Sequence, residues 1–201
     1  KMGAYRGLRS WGIELGQTKL LPGSNDSSSV NVSTLTVKFA PLASLFNWQP
    51  VAIFNPKGTK IILSKNDKGS FWVMPQSDNS QPINFQLRFN LKEPTKIVFN
   101  PRNTTLLVKG NIGLNLAKEK IYGAIKLDSK KQGSIYLSGK GYWDGLEFQT
   151  KARINKFRLG ILQGILGKDS NIITKGYING KLNLGIEKGS IKCKGDLLLK
   201  N

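Results

Sequence analysis

Residues Ile83 to Leu91 read INFQLRFNL. Ile83, Phe85, Leu87, Phe89 and Leu91 are apolar, while Asn84, Gln86, Arg88 and Asn90 between them are polar. Successive side chains of a strand point to opposite faces, so the alternation predicts a strand with one apolar and one wet face. Burying five such side chains would contribute about 7–15 kcal/mol, an upper bound because an unfolded chain already hides part of that surface. Such a face needs cover, and what covers it decides both the fold and the function.

The chain downstream repeats the design. Leu106, Val108, Gly110, Ile112, Leu114 and Leu116 share one parity, as do Ile121, Gly123, Ile125 and Leu127. Ile135, Leu137, Gly139 and Gly141 follow, then Leu146, Phe148, Thr150, Ala152 and Ile154. Ile178, Gly180, Leu182, Leu184 and Ile186 form another set, and Ile191, Cys193, Gly195, Leu197 and Leu199 the last. Short turns such as Lys130-Lys131-Gln132-Gly133 and Asp144-Gly145 join these strands and predict antiparallel neighbours. A helix is expected over Phe157 to Leu166, where Leu159, Leu162 and Leu166 lie on one face.

Upstream, Trp11, Ile13 and Leu15 alternate in a short entry, and Pro22 to Ser29 is a loop by composition. Val30 to Phe39 reads as a strand. Leu35, Val37 and Phe39 share one parity and Val30 and Val32 take the other, which predicts a bulge near Ser33-Thr34. Pro41 to Trp48 has a first-turn proline and helical spacing at Leu42, Leu45 and Phe46. Strands then follow over Val51–Phe54, Lys60–Lys65 and Ser70–Met74, the last two joined by a turn at Asn66-Asp67-Lys68-Gly69. Residues 75–82 read as a longer loop, and Ile97 to Phe99 as a strand set off from the central one by Pro94. The expected fold is therefore mainly β, a long curved antiparallel sheet with two short helices. It forms one domain over residues 1–201, with sub-units of roughly 1–103 and 104–201.

A sandwich packed on itself is the simplest cover for such strands. Two features oppose it. Two short helices serve about ten strands. Glycine also falls on the apolar parity at Gly110, Gly123, Gly139, Gly141, Gly180 and Gly195, where a packed core wants large side chains and where glycine instead permits curvature. A long curved sheet with an unfilled apolar face is a groove for something apolar.

Composition narrows the function. The 201 residues carry 31 Lys or Arg and 12 Asp or Glu, a formal charge of +19. Such a charge suits nucleic acid or an anionic membrane. However, 25 of the cations are lysines, spread along polar strand positions rather than gathered as arginine forks, so a solvated face accounts for them and no nucleic acid is expected. Lys38, Lys109, Lys126, Lys140, Lys181 and Lys194 are expected to project from a convex polar face. The chain lacks histidine and has one cysteine, Cys193, which excludes His-based nucleophile activation, an intrachain disulfide and a Cys-rich zinc site. Asp144 and Glu147 are close but flank a turn, so no enzyme activity, metal or cofactor is expected. No stretch approaches the roughly 18 apolar residues of a bilayer-spanning helix. The opening Lys1-Met2-Gly3 and the closing apolar run 197–199 read as cuts from a longer protein.

Several blocks carry a family resemblance. Tyr5-Arg6-Gly7-Leu8-Arg9, Gly12-Ile13-Glu14-Leu15-Gly16, and Pro22 with its Ser/Asp loop are three of them. Phe39-Ala40-Pro41-Leu42-Ala43-Ser44-Leu45-Phe46 and the run from Ile61-Ile62-Leu63 through Asn66-Asp67-Lys68-Gly69 to Ser70-Phe71-Trp72 complete the set. Together they resemble the N-terminal region of cyanobacterial and plastid TamB-like proteins, and their order resembles AsmA-type units. The rest of the chain is similar only as glycine-punctuated β repeats. Ala40 stands where the family has asparagine, which removes a helix cap.

The resemblance implies a repeating β-groove, or β-taco. It implies a place on the periplasmic face of the inner membrane, with a single-pass anchor upstream and an Omp85-type outer-membrane barrel at the far end. The implied role is carriage of phospholipids between membranes, assistance to outer-membrane protein translocation and assembly, or both, with no catalytic residue. Ile83, Phe85, Leu87, Phe89, Leu91, Leu106, Val108, Ile112, Leu114, Leu116, Ile125, Leu127, Ile135, Leu137, Ile178, Leu182, Leu184, Ile186, Leu197 and Leu199 would line the groove and meet acyl chains. The alternatives are a self-packed basic β-domain that binds polyanions and a scaffold without ligand.

Overall fold

The computed structural model describes residues 1–20, 28–66, 71, 83–100, 103–129, 133–143, 147–161, 175–187 and 190–200. Its strands are β1 (Tyr5–Arg9), β2 (Gly12–Leu15), β3 (Thr18–Leu20), β4 (Ser29–Phe39), β5 (Val51–Leu63), β6 (Gln86–Phe99), β7 (Thr104–Asn115), β8 (Lys120–Asp128), β9 (Ser134–Tyr142), β10 (Glu147–Arg158), β11 (Tyr177–Glu187) and β12 (Ser190–Lys200), with helix α1 (Pro41–Asn47) between β4 and β5. All twelve strands belong to one open, curved sheet in the order β1-β2-β4-β5 and then β6 to β12 in sequence; β3 pairs with β4 beyond the end of β2. The mainly-β groove architecture is as the alternation implies. β6 and β7 pair antiparallel from Gln86–Asn115 to Phe99–Thr104.

Three local expectations are corrected. First, β5–β6 is parallel, the exception among the described pairings. The 22 residues between Leu63 and Gln86 allow this, because a parallel return needs a long connection where a hairpin does not. Second, the gap between the strands read at 51–54 and 60–65 and the break read at Pro94 are not strand ends. Pro56 lies inside β5 and Pro94 inside β6. Proline cannot donate to a ladder, and the pairing accommodates both: the β5–β6 register lapses between Phe54 and Lys60, and the β6–β7 register between Leu91 and Thr95. At its other end β6 starts at Gln86, so Ile83 and Phe85 precede the strand. Third, the helix read from Phe157 starts later. β10 runs to Arg158, and helical backbone is present at 160–161. Phe157 pairs with Ile178 beyond a bulge at 155–156, where Lys156 has φ 44° and its N–H donates to Asn179 Oδ1 at 2.8 Å. The readings at residues 67–70, 72–82 and 162–174 lie outside the described residues.

The parity change near Ser33 is present and is shared by two strands. Val37 faces Phe54, which faces Phe89; Val30 faces Ile61, which faces Ile97. Both β4 and β5 therefore exchange faces between these points, at Ser33 and Gly58. Gly58 has φ +57°, a left-handed backbone, and a Cβ there would sit 2.6 Å from Ser33 Oγ, so the exchange requires glycine.

The helix α1 forms as expected but without a side-chain cap at Ala40. Ser44 instead ties the helix to its flanks. Its hydroxyl donates to the Ala40 carbonyl at 2.8 Å and accepts from the Val51 N–H at 2.9 Å, which fixes α1 to the start of β5. Trp48 closes the helix in the left-handed conformation, φ 52°.

Candidate functional site

The pairing register assigns every strand residue to a face. One row across the sheet is Leu87–Leu114–Ile121–Gly141–Phe148–Ile186–Ile191, on β6 to β12 in order. The next is Phe89–Ile112–Gly123–Gly139–Thr150–Leu184–Cys193, then Leu91–Gly110–Ile125–Leu137–Ala152–Leu182–Gly195. Val108, Leu127, Ile135, Ile154, Gly180 and Leu197 form a fourth row, and Ile97 with Leu106, and Phe157 with Ile178 and Leu199, lie beyond it. No position in these rows is charged. The alternation of single strands thus adds up, in register, to one uncharged apolar surface.

Of the residues expected on this face, Leu87 to Leu91 and those on β7 to β12 are brought together. Leu116 and Phe85 extend the surface past the strand ends, held by the Leu116 N–H to Phe85 carbonyl bond at 3.0 Å. Ile83 does not join it; it precedes β6 and is 60% exposed. The face also takes in Ile121, Phe148 and Ile154, legible from the same alternation, and Phe54. Phe54 stacks on Phe89 across β5–β6, with ring centroids 5.1 Å apart, and the parallel pairing that brings them together had no sequence signal.

Cover differs along the strands. At one end, called the lower end, Phe99, Leu106, Phe157 and Ile161 form a buried cluster, with Leu63, Phe71, Ile135 and Ile178 packed on it. Phe157 is 1% exposed there, and Phe71 meets Phe99 edge to face at 5.8 Å. Toward the upper end, where β6 begins and β7 ends, Leu87, Phe89, Ile112, Leu114, Ile121, Ile125 and Leu137 are only half-buried. Gly123 and Gly139 pair directly, and a Cβ at either would run into the backbone of a neighbouring strand, so glycine is needed for the close approach here. A hollow of about 230 Å³ opens there among Ile112, Ile121, Ile125, Leu137, Phe148 and Thr150. It is smaller than a typical closed ligand pocket of roughly 300–1,000 Å³ and widens a continuous trough.

The opposite face is polar. Lys109, Lys126, Lys140, Lys181 and Lys194 are exposed on it, as expected, and Lys38 is half-buried there. It is not uniformly convex, because Lys140, Lys151, Lys192 and Lys194 line a hollow of about 1080 Å³ across β7 to β12. Lys192 donates to Glu187 at 2.7 Å; that hydrogen bond, with the carboxylate's charge, raises the Lys192 pKa above its usual value. On the same face Tyr122 lies across Gly113 and accepts a hydrogen bond from Gln86 Nε2, two strands away. A Cβ at Gly113 would sit 2.2 Å from the Tyr122 ring. Gly113→Ala is therefore expected to push Tyr122 off Gln86, which is buried, and to destabilise the fold by about 1–3 kcal/mol. Tyr122→Phe, which removes the same bond without the clash, should cost a similar amount or less in urea unfolding.

Among the described residues no cluster of His, Cys, Asp and Glu could hold a metal, and no helix is long and apolar enough to cross a membrane. Asp144 lies outside the described residues. No family model matches the chain, and no curated protein or solved structure is significantly similar to it.

Proposed function

We propose that this chain is a segment of a TamB/AsmA-like bridge whose trough carries phospholipid acyl chains between an inner and an outer membrane. The observation that carries the reading is the uncharged apolar face over β6 to β12, left half-exposed toward its upper end. Apolar surface gains by leaving water, at about 25 cal/mol per Å², and among the described residues nothing covers this end. An acyl chain suits it, since it needs no polar partner and can lie along a strand direction. Headgroups stay at the open side, where their charges remain hydrated. The same surface would suit apolar segments of an unfolded outer-membrane protein. Anchorage upstream in the inner membrane and an Omp85-type partner come from the family resemblance.

Photocrosslinking tests the reading. A photoreactive side chain at Leu87, on the trough, should recover phospholipid from membranes, whereas one at Arg88, on the polar face, should not. Equal recovery at both positions, or recovery of protein alone at Leu87, would count against it.

A second reading rests on the lysine-lined hollow of the polar face, which suits a polyanion. If that reading held, single-stranded nucleic acid would bind at physiological salt, and the affinity would fall steeply as salt rises.

A further inference from the structure

The upper end of the sheet carries three tryptophans on three separate connections. Trp11 is in the β1–β2 turn, Trp48 follows α1, and Trp143 follows β9. The Phe39 N–H donates to the Trp11 carbonyl at 2.7 Å, and the Trp143 N–H donates to the Glu119 carbonyl at 2.9 Å, which fixes both turns to this end. Trp11 is 70% and Trp48 86% exposed.

Between Trp11 and Trp143 stands α1, and it is built the wrong way round for a covering helix. None of its residues is buried, and Leu42, Leu45 and Phe46 point to solvent. The run from Phe39 to Val51 has no charged residue. At the lower end, by contrast, Phe99, Leu106 and Phe157 of β6, β7 and β10 meet in a buried cluster. Leu20 and Leu197 to Leu199 are exposed at the lower end too, but the three exposed tryptophans and the outward-turned α1 are all at the upper end, and such a grouping marks a contact surface.

We infer that this rim docks on the interface of an anionic phospholipid bilayer. Tryptophan, with an apolar ring and a polar N–H, favours the headgroup level, and leucine and phenylalanine enter just beneath it. Lys38, Lys118 and Lys120 lie at the ends of the neighbouring strands, where they meet anionic headgroups, and the chain's charge of +19 attracts such a surface from a distance. The tryptophans extend from β2 to β9, about 29 Å of sheet at 4.8 Å per strand. A bilayer offers a surface of that breadth without needing a matching shape, and Trp143, 36% exposed, would sit at the edge of the contact. The rim reaches the unfilled end of the trough at Trp143, which follows β9, whereas Phe157 and Ile161 are buried at the opposite end. Docking would therefore place the open trough against lipid; this consequence, unlike the docking itself, rests on the acyl-chain reading.

The test is flotation of the chain with vesicles of equal parts phosphatidylcholine and phosphatidylglycerol, with tryptophan emission and quenching by lipids brominated near the headgroup. Binding with a blue shift and quenching is expected. Phe46→Asp and Trp48→Asp, both at highly exposed sites, should each weaken binding by about tenfold while leaving the thermal unfolding midpoint unchanged. Three results would overturn the inference. One is binding by both variants equal to that of the parent chain. Another is binding without any blue shift that high salt abolishes, which would assign the contact to the lysine face. The third is dimerisation that either aspartate breaks, with no vesicle binding, which would make the occupant a second copy. Loss of flotation in Phe46→Asp, with phospholipid still crosslinked at Leu87 in mixed micelles, would separate the rim from the trough: the docking would stand and so would the groove. Flotation without crosslinking at Leu87 would leave the docking standing and remove the groove.

Discussion

Leu114→Asp is expected to abolish phospholipid capture by the trough while the protein stays folded. Leu114 pairs with Leu87 and with Ile121, and it is half-buried near the upper end. A carboxylate there keeps much of its hydration because the face is open, so the folding cost is the lost partial burial of one leucine, about 1–2 kcal/mol. Capture suffers far more, since an acyl chain in contact with the carboxylate would strip its water. Leu87→Asp should behave alike. Crosslinking from Phe89, one row further in, reports on capture, and circular dichroism with urea unfolding reports on the fold. In a closed sandwich the same substitution would bury an unpaired charge and unfold the domain. Unfolded Leu114→Asp would therefore sink the open-trough reading, and a folded variant that still captures phospholipid would sink the acyl-chain reading.

At the other end of the same face the consequence reverses. Phe157→Ala should destabilise the fold by about 3–5 kcal/mol, because a fully buried ring is removed from the contacts with Phe99, Leu106 and Ile161 and a cavity remains. Domains of this kind are stable by only about 5–15 kcal/mol in total, so the urea midpoint should move far down. Leu137→Ala, on the same face but half-buried, should cost clearly less. Similar losses at the two positions would mean that the trough is as tightly covered as the cluster, contrary to the graded cover along the strands.

Much of this architecture was legible in the chain because a strand writes its faces into every second residue. The assignment of Leu106 to Leu116, Ile125, Leu137 and Leu182 to Ile186 to one side follows from local backbone geometry alone. So does α1, from Pro41 and the spacing of Leu42, Leu45 and Phe46. Gly110, Gly123, Gly139 and Gly180 were equally readable as points of curvature, and each is a place where a Cβ would run into a neighbouring strand's backbone. The face exchange at Ser33 was visible in one strand, as a change of parity.

Strand neighbours and cover were decided elsewhere. Nothing near Leu63 or Gln86 announces that β5 and β6 run parallel, because direction depends on how a 22-residue connection travels through space. Pro94 looked like an end because proline costs a ladder hydrogen bond, and it proved internal because the β6–β7 register lapses beside it. Phe157 looked helical by spacing, yet its pairing with Ile178 holds it in β10 and in the core. The outward-facing leucines of α1 had the pattern of a packed helix; periodicity shows that a helix has an apolar side, but not which way that side is turned. By itself the sequence determined which side chains share a face, since that is set by the period of the backbone. Only the tertiary structure decided which of those side chains are covered, since burial depends on residues distant in the chain.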